Sequence, residues 1–192
     1  MLTVGDTFPT YDLPALIPGN LDEVAATAPS DFFTRATSAD SPGRWRVVFF
    51  WPKDFTFVCP TEIAEFGRLA ARFDELGADV LGVSTDSEYV HYAWRTQLPL
   101  LRELPIRMGS DLRHDLTGAL GILTKDGVAM RATFVIDPSD VIQFVMVTAG
   151  SVGRNVDEVV RVLEALQTGE LTPCAWNPGQ ATINATAEMK GS

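Results

Sequence analysis

The sequence predicts an α/β domain, with one mixed central sheet, helices on both of its faces and a polar C-terminal arm. Three observations lead there. Trp45–Trp51 ends in a continuous apolar run and Val80–Ser84 is a second short apolar stretch, the pattern of strands buried on both faces. After the first run, Ile63, Phe66, Ala70 and Phe73 recur at spacings of three and four, the period of an amphipathic helix. Later, two apolar stretches, Ala132–Ile136 and Val141–Val147, flank Asp137-Pro138-Ser139-Asp140, which reads as a hairpin turn.

The elements follow in order. Residues 1–44 are rich in Pro, Asp, Ser and Thr and read as loops with one or two short strands, Phe32–Thr37 among them. Pro52 stops the strand that ends at Trp51. Pro60 suits the first turn of a helix of about four turns, because a proline there gives up no needed N–H. Gly77 is its stop. Asp86-Ser87-Glu88 opens a second helix carrying Val90, Trp94 and Leu98. A short strand near Ile106–Met108 and a short helix over Asp115–Leu120 come next. Asn155 caps a final helix with Glu158 three residues on, and Val156, Val159, Val160, Leu163 and Leu166 share one of its faces. Strand–helix alternation gives parallel strands and the hairpin adds an antiparallel pair, an order that resembles the thioredoxin fold. Residues 1–168 are expected to form this domain and 169–192 an arm rather than a second domain.

Charge narrows the function classes. Fifteen Lys and Arg against 25 Asp and Glu leave a net charge of −10, with no basic run, which argues against nucleic acid and anionic membranes as partners. No apolar stretch is long enough to cross a bilayer. The start, Met1-Leu2-Thr3-Val4-Gly5-Asp6, lacks the charged and apolar regions of a secretory signal, so a cytoplasmic location is expected. Two cysteines are too few for a disulfide scaffold. With two histidines at no ligand spacing they also make a poor metal site.

Cys59 stands where a buried strand hands over to a helix. The unpaired N–H groups and positive dipole end of a helix stabilise a thiolate. That makes Cys59 a candidate nucleophile, although a lone cysteine is as often a small buried hydrophobe. The residue three places on is Glu62, so there is no Cys-x-x-Cys for dithiol exchange. His91, in a helix, and His114, near a helix start, read as structural or surface residues, which leaves a cysteine hydrolase without a placed base.

The neighbours of Cys59 add a resemblance. Pro52-x-x-x-Thr56-x-x-Cys59, within Phe50–Glu62, resembles the active-site stretch of the peroxiredoxins. The likeness is to the typical two-cysteine type found in bacteria, in particular actinobacteria, as the peroxidase component of alkyl hydroperoxide reductase. It continues through Asp86-Ser87-Glu88 with Trp94, through Met130–Asp137 and through Val152–Glu158, and covers about residues 1–180.

The resemblance implies a peroxidase of hydrogen peroxide and small organic hydroperoxides that works without metal, haem or flavin. Cys59 would attack the peroxide and become a sulfenic acid. Thr56 would hold thiolate and peroxide through its hydroxyl, and Pro52 would shield the site and shape the loop. Arg131 would lie over the sulfur and stabilise the charge on the leaving oxygen. Glu62 would orient an arginine, with Arg154 the match.

Cys174, in Thr172-Pro173-Cys174-Ala175-Trp176, would be the resolving thiol, donated by the partner subunit of a dimer. The family pattern places that cysteine four residues before the tryptophan, where Thr172 stands here, so direct attack by an external reductant or slower resolution stays open. Electrons would come from a protein thiol donor: a thioredoxin, a flavoprotein disulfide reductase or an alkylhydroperoxidase D-type protein. Dimers would assemble into a ring. The Gly-Gly-Leu-Gly segment of peroxide-sensitive members is replaced by Thr96–Leu101, and the Tyr-Phe helix is replaced by Ala187–Ser192, which predicts resistance to over-oxidation. A thiol–disulfide oxidoreductase and a holdase chaperone or peroxide sensor are the competing readings.

Overall fold

The computed structural model describes residues 1–183, in two units, one over Met1–Arg154 and one that begins at Asn155. Residues 184–192, including the Ala187–Ser192 ending discussed above, lie outside the described residues.

The first unit is built on seven strands. In chain order they are β1 (Asp12–Leu16), β2 (Phe33–Thr37), β3 (Trp45–Phe50), β4 (Ala78–Ser84), β5 (Arg107–Ser110), β6 (Arg131–Ile136) and β7 (Ile142–Thr148). Across the sheet they run β2-β1-β5-β4-β3-β6-β7. β3 and β4 pair in parallel, as do β4 and β5; β6 is antiparallel to both β3 and β7. The mixed sheet predicted from alternation plus a hairpin is therefore present, with the hairpin turning at Asp140 in the left-handed region (φ 66°). β1 went unread because Pro14 lies inside it and proline weakens any strand assignment. Only Ala15 and Leu16 pair with β5, so Pro14 interrupts no ladder on that side.

β3 shows why an unbroken apolar run means a central strand. Val48 and Phe50 join Phe134, Leu116 and Leu120 in the core on one face. Phe49 and Trp51 point to the other face, where Phe49 stacks on Phe66 with ring centroids 3.9 Å apart. Leu116 and Leu120 belong to helix α4 (Asp115–Leu120) and Phe66 to helix α1 (Cys59–Arg68), so the two faces are covered by different helices. Gly82 in β4 makes room for this packing: a Cβ there would lie 2.7 Å from the Phe49 ring and 2.8 Å from that of Trp51.

The four-turn helix predicted from Pro60 to its stop at Gly77 is divided. α1 ends at Arg68 and α2 (Ala70–Glu75) follows Leu69, whose ψ of 3° is not helical. The break comes two residues after Gly67, the weakest helix former in the run. Gly67 abuts Leu104 too closely to carry a side chain without displacing it. Gly77 ends α2 at φ 64°, as the stop signal required. Helix α3 (Glu88–Gln97) starts at Ser87, whose hydroxyl accepts from the Val90 N–H. Its Arg95 is fully buried and donates to the carbonyls of Ile17, Gly19, Leu101, Arg102 and Leu104, tying two loops together. In the Leu98–Leu104 stretch Leu101 and Leu104 are core residues and Leu100 is exposed.

The second unit contains helix α5 (Val156–Gln167), whose cap Asn155 accepts from the Glu158 N–H. Beyond it the arm closes on itself through a Leu171–Ile183 bridge and a Thr182–Glu170 hydrogen bond. No helix among the described residues is long and apolar enough to cross a membrane.

Candidate active site

Cys59 is the first residue of α1 and is 1% exposed. The preceding loop leaves β3 at Trp51 and is pinned from below. Trp51 Nε1 donates to Asp54 Oδ1 at 2.7 Å, and the Asp54 N–H donates to Asp86 Oδ2 at 2.9 Å. The other Asp54 oxygen lies 2.6 Å from His91 Nδ1. His91 Nε2 faces the Gly109 carbonyl at 3.2 Å. A carboxylate and a carbonyl are both acceptors, an arrangement that favours a hydrogen on each ring nitrogen. Burial pushes the His91 pKa down, but the charge and hydrogen bond of Asp54 outweigh it and hold it above its ordinary value. His91 is thus structural, as its sequence context implied, and it supports the loop that delivers Cys59. Sequence reasoning could not supply its partner, because Asp54 is 37 residues away.

A cluster of three charged side chains lies beside the sulfur, and one of them, Arg131, reaches it. Arg131, the first residue of β6, brings Nη1 and Nη2 each to 3.6 Å from Cys59 Sγ. Its Nη1 also donates to Glu62 Oε2 and its Nη2 donates to the Gly150 carbonyl at 2.7 Å. Glu62 lies one helical turn after Cys59, so both side chains leave α1 on the same side. Glu62 further accepts from the Arg154 backbone N–H (2.8 Å), Nε (2.8 Å) and Nη2 (3.1 Å). Arg154 Nη1 donates to the Ala132 carbonyl, and its guanidinium lies 5.4 Å from the Phe49 ring centroid. Burial pushes the Arg154 pKa down, opposed by the hydrogen bonds and charge of Glu62. One buried carboxylate thus fixes two buried guanidiniums, and one of these faces the thiol. Sequence reasoning paired Glu62 with Arg154 alone, whereas the structure pairs it with both arginines. The Gly150 contribution had no sequence signal, since a backbone carbonyl is common to every residue.

The remaining predicted positions divide. Pro52 is partly buried at the start of the loop. The Thr56 hydroxyl donates to the Lys53 carbonyl at 2.9 Å, so its single hydrogen is directed into the loop's own turn rather than at the sulfur. That turn includes Phe55 in the left-handed region (φ 56°), and Phe57 beside it is 95% exposed. Cys174 is exposed and carries a free thiol, and it belongs to the second unit. Among the described residues no group of three His, Cys, Asp or Glu side chains could hold a metal ion.

A buried thiol at a helix start, under an arginine that a glutamate orients, stands in a chain with many known relatives. The AhpC/TSA family model matches residues 4–145. The chain belongs to the AhpC/TSA family. It is 58% identical to alkyl hydroperoxide reductase C of Mycolicibacterium smegmatis, over 100% of this chain and 98% of that protein. It is 42% identical to peroxiredoxin TSA1 of Saccharomyces cerevisiae, over 94% and 90% of the two chains. Among solved structures, Mycobacterium bovis AhpC superposes with a TM-score of 0.87 at 58% identity, covering 92% of this chain and 99% of that one. The reduced 2-Cys peroxiredoxin of Plasmodium vivax superposes at 0.86 with 27% identity, covering 98% and 96%. The resemblance read from Pro52, Thr56 and Cys59 and the mixed-sheet fold are thereby borne out.

Proposed function

We propose that this chain is a thiol-dependent peroxidase that reduces hydrogen peroxide and small organic hydroperoxides. The observation that carries the reading is the Arg131 guanidinium 3.6 Å from the buried Cys59 sulfur. The family membership of the chain and the names of its relatives support the same activity. In the first step the Cys59 thiolate attacks the distal peroxide oxygen. The O–O bond breaks, an S–OH bond forms, and the other oxygen leaves as water or an alcohol after taking a proton. Arg131 stabilises the anionic sulfur before attack and the developing charge on the leaving oxygen during it. Glu62 and Arg154 hold the Arg131 guanidinium in place. Thr56 serves the same step if its hydroxyl turns from Lys53 to the bound peroxide, and Pro52 limits water at the loop.

Cys174 then attacks the sulfenic acid, donated from a partner subunit in a dimer that assembles into a ring. Its exposure suits a thiol that must meet another sulfur and afterwards a protein thiol reductant. That donor is a thioredoxin, a flavoprotein disulfide reductase or an alkylhydroperoxidase D-type protein, and the cycle belongs to a reducing compartment such as the cytoplasm. On this reading residues 1–168 serve as the peroxidatic part and residues from 169 as the resolving arm, although the compact units themselves divide earlier, between Arg154 and Asn155.

The test is rapid mixing of the reduced protein with hydrogen peroxide, followed by intact mass and a non-reducing denaturing gel. Cys59→Ser should abolish oxidation, and Arg131→Met should slow it by about 10²–10³-fold, as removal of a preorganised donor does. A disulfide-linked dimer absent from both Cys59→Ser and Cys174→Ser establishes the two-cysteine cycle. Oxidation of Arg131→Met at the wild-type rate would overturn the assignment.

A further inference from the structure

The arm that carries Cys174 is not a free tail. Pro173 to Trp176 form a turn closed by the Trp176 N–H donating to the Pro173 carbonyl at 3.1 Å, with Ala175 in the left-handed region (φ 57°). Cys174 occupies the corner of this turn, exposed, while Trp176 is 4% exposed. Trp176 Nε1 donates to the Gln180 carbonyl at 3.1 Å. One side chain from α5 joins the turn to the helix. Arg161 Nη1 donates to the Trp176 carbonyl at 2.8 Å. The rest of the Arg161 fork is aimed by Glu158, which accepts from Nε at 2.6 Å and from Nη2 at 2.8 Å. Arg161 and Cys174 also line one cleft of about 460 Å³, together with Leu166 and Pro173. The Arg161 pKa is raised first by its hydrogen bond to Glu158, and the charge of a Cys174 thiolate adds in the same direction, so the guanidinium and the sulfur are within electrostatic reach.

We infer that Arg161 is a positioning residue for the second half of the reaction, holding the Pro173–Trp176 turn so that the Cys174 thiol stays presented for attack on the Cys59 sulfenic acid. The inference rests on the reading of Cys174 as the resolving thiol. The step forms an S–S bond between Cys174 and Cys59 and breaks the S–O bond of the sulfenic acid. The hydroxide leaves as water with the proton of the Cys174 thiol, and no external oxidant or reductant takes part. A left-handed alanine is a conformation that an unrestrained chain leaves readily. Something must hold it, and an arginine with two donors locked on a glutamate and a third on the turn is suited to that. With the turn released, the thiol samples many positions, and fewer of them lead to the disulfide.

The test uses the full chain and four proteins: wild type, Arg161→Met, Arg161→Lys and Cys174→Ser. Each is reduced, mixed with a range of hydrogen peroxide concentrations and quenched for intact mass. The measured quantities are the rate of Cys59 oxidation, the rate of disulfide formation, and the peroxide concentration at which half of Cys59 becomes sulfinate. Arg161→Met should oxidise Cys59 at the wild-type rate, which also shows that the peroxidatic unit is folded. It should form the disulfide roughly fivefold more slowly, the weight of one charge-assisted hydrogen bond at a part-exposed site. The half-sulfinate concentration should fall by the same factor, since the sulfenic acid then waits longer for a second peroxide. Arg161→Lys, which keeps a cationic donor for the Trp176 carbonyl, should recover most of the rate. Disulfide formation at the wild-type rate in Arg161→Met overturns the inference, as does a lysine variant no better than methionine. If Cys174→Ser still forms the disulfide-linked dimer, the reading of Cys174 fails and this inference with it. If Cys174→Ser abolishes the dimer while Arg161→Met is unimpaired, only the inference fails.

Discussion

Replacing Glu62 by glutamine tests the physical core of the site. The carboxylate accepts four N–H donors: three from Arg154 and one from Arg131. All three side chains are within 7% of full burial, so little water is at hand to replace what is lost. With the thiolate present, two cations face two anions and the cluster is neutral; with glutamine it carries a net positive charge under the protein surface. The amide also points an NH₂ at guanidinium donors. Removing one partner of a buried, hydrogen-bonded ion pair costs about 3–5 kcal/mol, whereas exchanging the whole pair for apolar groups can cost little. Urea unfolding of Glu62→Gln should therefore show a stability loss of about 3–5 kcal/mol with an unchanged m-value. A double-mutant cycle with Glu62→Met and Arg154→Met should give a coupling on the order of 1–3 kcal/mol, because the second substitution removes the stranded charge. Rapid mixing with peroxide should show slower Cys59 oxidation in the folded Glu62→Gln protein, since Arg131 loses one of its two fixed acceptors. A Glu62→Gln protein within about 0.5 kcal/mol of the wild type, with additive double-mutant energies, would refute this account of the cluster.

Three further predictions follow from other parts of the fold. Gly82→Ala should destabilise by about 1–3 kcal/mol or prevent folding, because its Cβ would lie 2.7 Å from the Phe49 ring and 2.8 Å from that of Trp51; thermal melting at unchanged stability would contradict that packing. Arg95→Met should cost at least about 3 kcal/mol in denaturant unfolding, since it removes a fully buried guanidinium that donates to the carbonyls of Ile17, Gly19, Leu101, Arg102 and Leu104. The raised His91 pKa makes part of the stability pH-dependent. This part is fully present below the unfolded histidine value of about 6.5 and is lost as pH rises through the higher folded value. Unfolding free energies of wild type and His91→Gln should therefore converge on raising the pH, and a difference that grows with pH would show that the ring is buried neutral.

The parts of this molecule legible in the sequence are those fixed by neighbours along the chain. Trp45–Trp51 reads as a central strand because it ends in five consecutive apolar residues, Val47–Trp51, too short a run for a helix buried all round. Asp115–Leu120, the Ser87 and Asn155 caps and the Gly77 stop were likewise local matters of backbone donors and allowed dihedrals. Cys59 at a helix start, with Pro52 and Thr56 before it, was legible for the same reason, and it was enough to reach the family. Strand β1 was not, because Pro14 masks its pattern and its pairing partners lie more than 15 residues away.

Tertiary structure decided what depends on distances between remote residues. Nothing local says that Glu62 serves Arg131 as well as Arg154, that the Gly150 carbonyl completes the Arg131 fork, or that Asp54 meets His91. Nor does the motif say that the Thr56 hydroxyl turns to Lys53. The sequence determined the candidate nucleophile Cys59, its place at a helix start, and the alternation of strands and helices around it, since these follow from propensity, period and capping. Which charges converge on that nucleophile, and how firmly each is held, follows from packing alone: a buried charge is tolerated only where another part of the fold brings its partner.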